Sequence, residues 1–269
     1  LSNLISVKTL NHWLSMGLDQ LRLTNEKCKV SEQFSCLNSR LNNSSKLIGF
    51  SNFENNLKHS ILQIEVEHHY SCGSISDAFI HHTYWHIFPN LLLWMENRVI
   101  VNQVFNDLPR IGIFFPLKKD FEHFEWFGNG PHESYCDRKA GVRVGLFKST
   151  VNQQYVPYIV PQEHGNKTDL RWMTLKDKNS TGFFISSSEL FEGSVSHYPD
   201  ELLYSTAHAY ELKPRPETFV YLDYRQRGLG TGSCGPDTLK KYLIPSGIYK
   251  FDYILHAFDF GKNENFTLI

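Results

Sequence analysis

Leu62-Gln63-Ile64-Glu65-Val66-Glu67 alternates apolar and acidic or amide residues with a period of two. That period describes a strand with one face turned to a core and the other to water. On the C-terminal side the texture continues as short aromatic or β-branched runs, Thr83–Phe88, Val99–Phe105, Arg110–Phe115 and Phe121–Phe127. Turn formers separate them: Glu96-Asn97-Arg98, Asp107-Leu108-Pro109 and Gly128-Asn129-Gly130-Pro131. The runs Gly182–Ser186, Leu202–Ala209, Phe219–Tyr224 and Ile248–Phe258 repeat the pattern, interrupted by Gly228-Leu229-Gly230-Thr231-Gly232 and Pro245-Ser246-Gly247. Many short strands without helices between them pair antiparallel, so the expected fold is an all-β, large antiparallel sandwich. On the N-terminal side, Leu10, Trp13, Leu14, Leu18 and Leu21 recur at three- and four-residue spacing behind a capping Thr9, which predicts a short helix. The Asn- and Ser-rich stretch Asn38–Asn56 reads as a mobile loop inside a single domain spanning residues 1–269.

The 269 residues carry 27 Lys+Arg against 28 Asp+Glu, a formal charge of −1. No basic surplus or run exists that would hold a nucleic acid or a membrane surface. With 41% hydrophobic and 20% charged residues the composition is globular. The longest apolar run, Leu91–Met95, falls far short of the ~20 residues of a membrane span. The opening Leu1-Ser2-Asn3-Leu4 has no signal pattern and reads as an internal start. Five cysteines without a C-x-x-C give neither a disulfide framework nor a zinc site, and a cytoplasmic location is expected.

Thirteen histidines include the adjacent pairs His68-His69 and His81-His82, but neighbours along a strand point to opposite faces, so neither pair can chelate one ion. The Gly228–Gly232 run lacks the lysine and Ser/Thr of a phosphate-binding loop, leaving a tight turn with positive φ as the simpler reading. A nucleophilic serine would need a G-x-S-x-G elbow, which is missing. Glu122, Glu125, Glu133, Asp137, Glu163 and Asp223 all lie in aromatic-rich segments, and their separations decide whether any two could act as a glycosidase pair.

The stretch Phe124-Glu125-Trp126-Phe127-Gly128-Asn129-Gly130-Pro131-His132-Glu133-Ser134-Tyr135-Cys136-Asp137-Arg138-Lys139 resembles the aromatic-x-G-x-G-P-x-E-x-Y-x-D-R signature of the C-terminal domain of family 2 β-galactosidases. Tyr155–Gly165 is similar to the family's Y-x-x-P-Q-E-x-G block, through Gln162, Glu163 and Gly165. Thr168–Trp172 follows it, and Asp223–Gly230 through Ser233–Asp237 looks like the family's last, substrate-edge loop. The resemblance runs from about Phe114 to the end of the chain. It implies a galactose-mutarotase-like supersandwich, the β-galactosidase small-chain domain, in an enzyme that hydrolyses terminal β-D-galactosides such as lactose. It also implies that the two catalytic glutamates, ~5 Å apart in a retaining enzyme, sit on a TIM barrel outside this chain. A barrel needs about 250 residues of alternating strands and helices. The expected partners are therefore a catalytic barrel chain or domain, the galactoside, and further copies in an oligomer. No catalytic residue, metal or cofactor is assigned to this chain; magnesium and sodium belong, by the resemblance, to the complete enzyme.

By the same resemblance Gly232, Ser233, Cys234, Gly235, Pro236 and Asp237 border the aglycone subsite, with Cys234 where some members place a stacking Trp. The remaining signature residues carry structural expectations. Gly128, Gly130 and Pro131 suit a tight turn, and Glu133, Tyr135 and Asp137 would share one face of a strand, with Arg138 forking onto a carboxylate. Two other functions compete: an autonomous carbohydrate-binding sandwich, and an aldose-epimerase-like enzyme using His132, His164, His208 and Glu163.

Overall fold

The computed structural model describes residues 12–34, 60–89, 92–231 and 235–259. The expected mobile loop Asn38–Asn56 and the helix's Thr9 and Leu10 lie outside these residues. Eleven strands follow in order: β1 (Leu21–Phe34), β2 (Ser60–Cys72), β3 (Ile75–Ile87), β4 (Leu92–Val101), β5 (Arg110–Leu117), β6 (His123–Gly130), β7 (Arg143–Thr150), β8 (Lys167–Lys176), β9 (Thr181–Ser196), β10 (Thr218–Gln226) and β11 (Gly247–Asp259). Their pairings are antiparallel, giving the all-β sandwich that the strand pattern predicts.

The main path runs β1-β2-β3-β4-β11-β9-β8-β6-β7, with β5 and β10 branching from β9. The 16-residue β9 makes the branch possible. Its first half pairs with β11 through Thr181–Ser186, and its second half pairs with β10 through Glu192–Ser196. Where the two halves part, Asp252 of β11 accepts hydrogen bonds from the Ser188 amide (3.0 Å), the Ser188 hydroxyl (2.5 Å), the Ser187 hydroxyl (3.2 Å) and Trp94 Nε1 (2.9 Å). A buried carboxylate is tolerated when donors surround it in this way.

The main core collects Met95, Phe124, Trp126, Leu170, Met173, Leu175, Ile185, Phe191, Val195, Val220, Leu222 and Tyr253, from six strands. Burial of these large side chains is the dominant favourable contribution to the fold. A second cluster, Cys72, Ala78, Val101, Phe105, Leu108, Ile111 and Ile244, lies beneath the β3–β4 end and seats the start of β5.

Four local expectations are corrected. Glu96-Asn97-Arg98 is not a turn but the middle of β4, with Asn97 buried. The N-terminal helix covers only residues 12–15 of the described chain, and a 3₁₀ turn at Leu18–Gln20 leads directly into β1. Gly17 breaks the helix with φ +75°, a conformation that glycine adopts without strain. Leu202–Ala209 is not a strand. Asp200–Ser205 is a short helix after Pro199, with Asp200 and Glu201 in its first turn where the helix dipole favours acids. Within β2, Ile61 is the fully buried side chain, whereas Leu62 is 39% exposed. Among the described residues no helix is long and apolar enough to cross a membrane.

Candidate functional site: a pinned loop at the end of the sandwich

The signature begins inside β6. Gly128 and Gly130 are extended residues of that strand, not a positive-φ turn. Glycine is needed there for close approach. A Cβ on Gly128 would sit 2.8 Å from Leu170 Cδ2, and one on Gly130 would sit 2.7 Å from the Phe147 ring. The Gly130–Pro131 peptide is cis and ends the strand. Residues 131–142 then leave the sheet, so Glu133, Tyr135 and Asp137 do not share a strand face. Tyr135 and Arg138 close a tight turn instead, with Arg138 N donating to Tyr135 O at 2.8 Å.

That turn aims each polar side chain at a different segment. Glu133 accepts the Tyr158 hydroxyl and the Gly165 amide (2.8 Å), which fixes the Tyr155–Gly165 block against the end of β6. Gly165 has φ +80°, the left-handed region that favours glycine. Tyr135 is 1% exposed, and burial raises its hydroxyl far above the ordinary range. Asp137 accepts the Leu229 amide (3.1 Å), the Gly230 amide (2.8 Å) and the Thr238 hydroxyl (2.9 Å). One carboxylate therefore clamps both sides of the loop 228–238. Arg138 is exposed and donates to the Gly230 carbonyl (2.5 Å), not to a carboxylate.

Arg227 holds the same loop from beneath. It is 3% exposed; Nε meets both Asp107 oxygens (2.8 and 2.9 Å), and its two terminal nitrogens reach Asp237 (3.1 and 2.8 Å) and the Gly228 carbonyl (2.9 Å). The guanidinium also lies 5.7 Å from the Trp13 ring centroid. Across the loop, Thr231 N donates to Pro236 O (3.0 Å) and Gly235 N to Thr231 O (2.6 Å). Gly230 has φ +63°, the positive-φ turn expected of this run. Of the substrate-rim candidates, Gly235, Pro236 and Asp237 stand at this neck, whereas Gly232, Ser233 and Cys234 lie outside the described residues.

Below the neck, Glu163 (4% exposed) accepts Arg110 Nη1 (3.2 Å) and Gln226 Nε2 (3.0 Å). Arg110 forks onto Asp223 and also reaches Asp200 (3.2 Å). Burial opposes the Arg110 charge, but Asp223 and Glu163 hold its pKa above the ordinary value. Burial also pushes the carboxyl of Asp223 up, against the pull of Arg110. Gln162 is buried, and its carbonyl meets His164 Nδ1 at 2.9 Å.

The six carboxylates left open by the sequence all have partners. Glu122 takes the Asn152 amide and His197, Glu125 pairs with Lys176 and Lys148, and the other four are engaged as described. A guanidinium, an ammonium or backbone amides beside a carboxylate favour its charged form. Of the epimerase candidates, His132 is exposed and lines a cleft beside Glu133. Edge-on to Tyr155, His164 is buried, His208 stacks on Tyr210 in an exposed turn, and Glu163 is bound to Arg110. Among the described residues no group of three or more His, Cys, Asp or Glu could hold a metal ion.

The sequence model of the family described as "Beta galactosidase small chain" matches residues 7–255. The chain belongs to that family. Small-chain relatives include the β-galactosidase of Priestia megaterium, 35% identical over 136 residues, which are 51% of this chain and 13% of that protein. The β-galactosidase of Kluyveromyces lactis is 35% identical over 152 residues, 55% of this chain and 14% of its own length. The chain thus matches about one seventh of these relatives. A GalM/aldose epimerase homologue from C. elegans aligns with 74% of this small chain and 66% of itself, at 7% identity and a TM-score of 0.39.

Asp107, Arg110, Thr238 and Trp13 carried no sequence signal for the site. They lie far along the chain from their partners, and nothing in local spacing distinguishes them from ordinary polar or core residues.

Proposed function

We propose that this chain is the C-terminal, small-chain part of a cytoplasmic β-galactosidase that hydrolyses terminal β-D-galactosides such as lactose. In this reading the chain is one domain that packs against a catalytic barrel, and the barrel carries both glutamates and any magnesium or sodium. The loop 228–238 then completes the active-site rim. The observation that carries the proposal is the clamp of Asp137 on Leu229, Gly230 and Thr238, which ties the family signature to the loop that the family uses at the substrate edge. A loop fixed at its neck presents its tip at low entropic cost, as a binding rim requires. By the resemblance, Cys234 would offer a small, soft apolar contact to the leaving sugar where other members stack an indole.

The test is hydrolysis of nitrophenyl β-galactoside by the chain alone and after mixing with a β-galactosidase barrel fragment. The expected result is no turnover alone and turnover on mixing, reduced when Asp137→Ala replaces the wild-type chain. Turnover by the chain alone would place a catalytic pair among its carboxylates and overturn the proposal.

A further inference from the structure

A cleft of about 410 Å³ opens between β6, β7 and the 3₁₀ turn Asn152–Gln154, away from the pinned loop. This volume falls in the range of small-molecule sites, roughly 300–1,000 Å³. Lys167, 2% exposed, lines the cleft. Its Nζ lies 5.1 Å from the Trp126 ring centroid, and it makes no hydrogen bond to a described residue. Three N–H donors in a buried setting without acceptors are costly unless something that enters the cleft supplies oxygens.

The remaining lining says which oxygens. Glu133 also faces the cleft and is the charge that acts on Lys167. Each of its carboxylate oxygens accepts one hydrogen bond, from Tyr158 or Gly165, and retains a free lone pair. Lys148 at the rim is paired with Glu125 at 3.3 Å. An anion would therefore meet Lys167 and Glu133 together, and gain little. Vicinal hydroxyls can accept from Lys167 and donate to Glu133 at once. Gln153 adds an amide, and Phe147 and Val156 add an apolar wall for a C–H face.

We propose that this cleft is a binding site for a neutral hexopyranose. Burial lowers the Lys167 pKa to about 8, so its amine can be acylated at pH 8 and its accessibility can be read directly.

The experiment is acetylation of Lys167 by an N-hydroxysuccinimide ester in the 269-residue chain, followed by peptide mass spectrometry, with galactose, glucose or inorganic phosphate added. Saturable protection by a hexose and none by phosphate is expected. Calorimetric affinity for that hexose should fall roughly tenfold or more in Lys167→Met, the size of a lost charged hydrogen bond. Val156→Arg, at the cleft wall, should abolish protection without touching the buried amine. Protection by phosphate alone, or by none of the three, would overturn the proposal even if Lys167→Met failed to fold. The barrel-mixing assay does not depend on this cleft, so either idea can fail while the other stands.

Discussion

The hydroxyl of Thr238 donates a 2.9 Å hydrogen bond to Oδ2 of Asp137, joining residues 101 positions apart. The same oxygen also accepts the Gly230 amide. The two strands of a surface loop are thus tied to one carboxylate on a turn that belongs to another part of the chain.

Asp137→Ala should release both sides of the loop. Two backbone amides would lose a charged acceptor, at a cost of about 1–3 kcal/mol. Urea unfolding should show that loss with the slope unchanged. Asp137→Asn, which keeps one carbonyl oxygen, should recover part of it. An alanine variant as stable as the wild type would mean that Arg227, Arg138 and the bonds across the loop hold the neck without Asp137.

Arg227→Ala should cost more. It strands Asp107, whose carboxyl burial already pushes upward, and removes both bonds to Asp237. Breaking a buried pair from one side costs about 3–5 kcal/mol. Arg227→Lys should rescue little, because an ammonium cannot reproduce the fork onto two carboxylates. Thermal melts of the three proteins would rank them.

Gly128→Ala and Gly141→Ala make a matched pair. The first drives a methyl to 2.8 Å from Leu170 Cδ2 and 3.0 Å from its Cα, whereas the second meets nothing within 4 Å. Overpacking predicts a loss of about 1–3 kcal/mol for Gly128→Ala. Gly141→Ala should leave the melting temperature within a degree or so, as exposed substitutions usually do.

Stability should fall as pH rises from 5 to 8. Burial pushes the Glu192 carboxyl up from 4.5 to about 8, outweighing its hydrogen bond from Asn166. The folded chain keeps a proton that the unfolded chain releases, so the contribution is full below 4.5 and is lost as pH passes through 8. Lys167, lowered to about 8, acts in the opposite sense and only above that pH. Glu192→Gln should flatten the decline between pH 5 and 8. An equal slope in both proteins would assign the dependence to other groups.

The strands legible in the sequence were those with apolar alternation or dense aromatics, such as Arg110–Leu117 and Thr218–Gln226. β1, β7 and β8 were not anticipated as strands; β1 and β7 are ends of the sheet path, whereas β8 lies between β6 and β9 and was visible only as the family block Thr168–Trp172. An end strand has one neighbour and a wet face, so its residues need not alternate; Val144 and Leu146 of β7 are 46% and 58% exposed. Leu202–Ala209 misled because two leucines in a short run suit a strand or a helix, and the deciding signal was Pro199 followed by two acids. At the site, the signature turn was visible as a block, but the direction of each side chain was not. Glu133 and Asp137 diverge because Tyr135–Arg138 is a turn, and a two-residue period holds only within a strand.

The position of β11 sets an order of events during synthesis. β4 has β3 on one side and β11 on the other, and β9 also waits for β11. β1 to β4 can pair among themselves as they leave the ribosome, but the open flank of β4 stays unmatched until the last described strand emerges. The nascent chain therefore carries an unsatisfied hydrogen-bonding edge while residues 102–246 are being made, the condition under which strands find wrong partners. Truncation just before Gly247 should accordingly harm recovery of soluble protein out of proportion to the few residues removed.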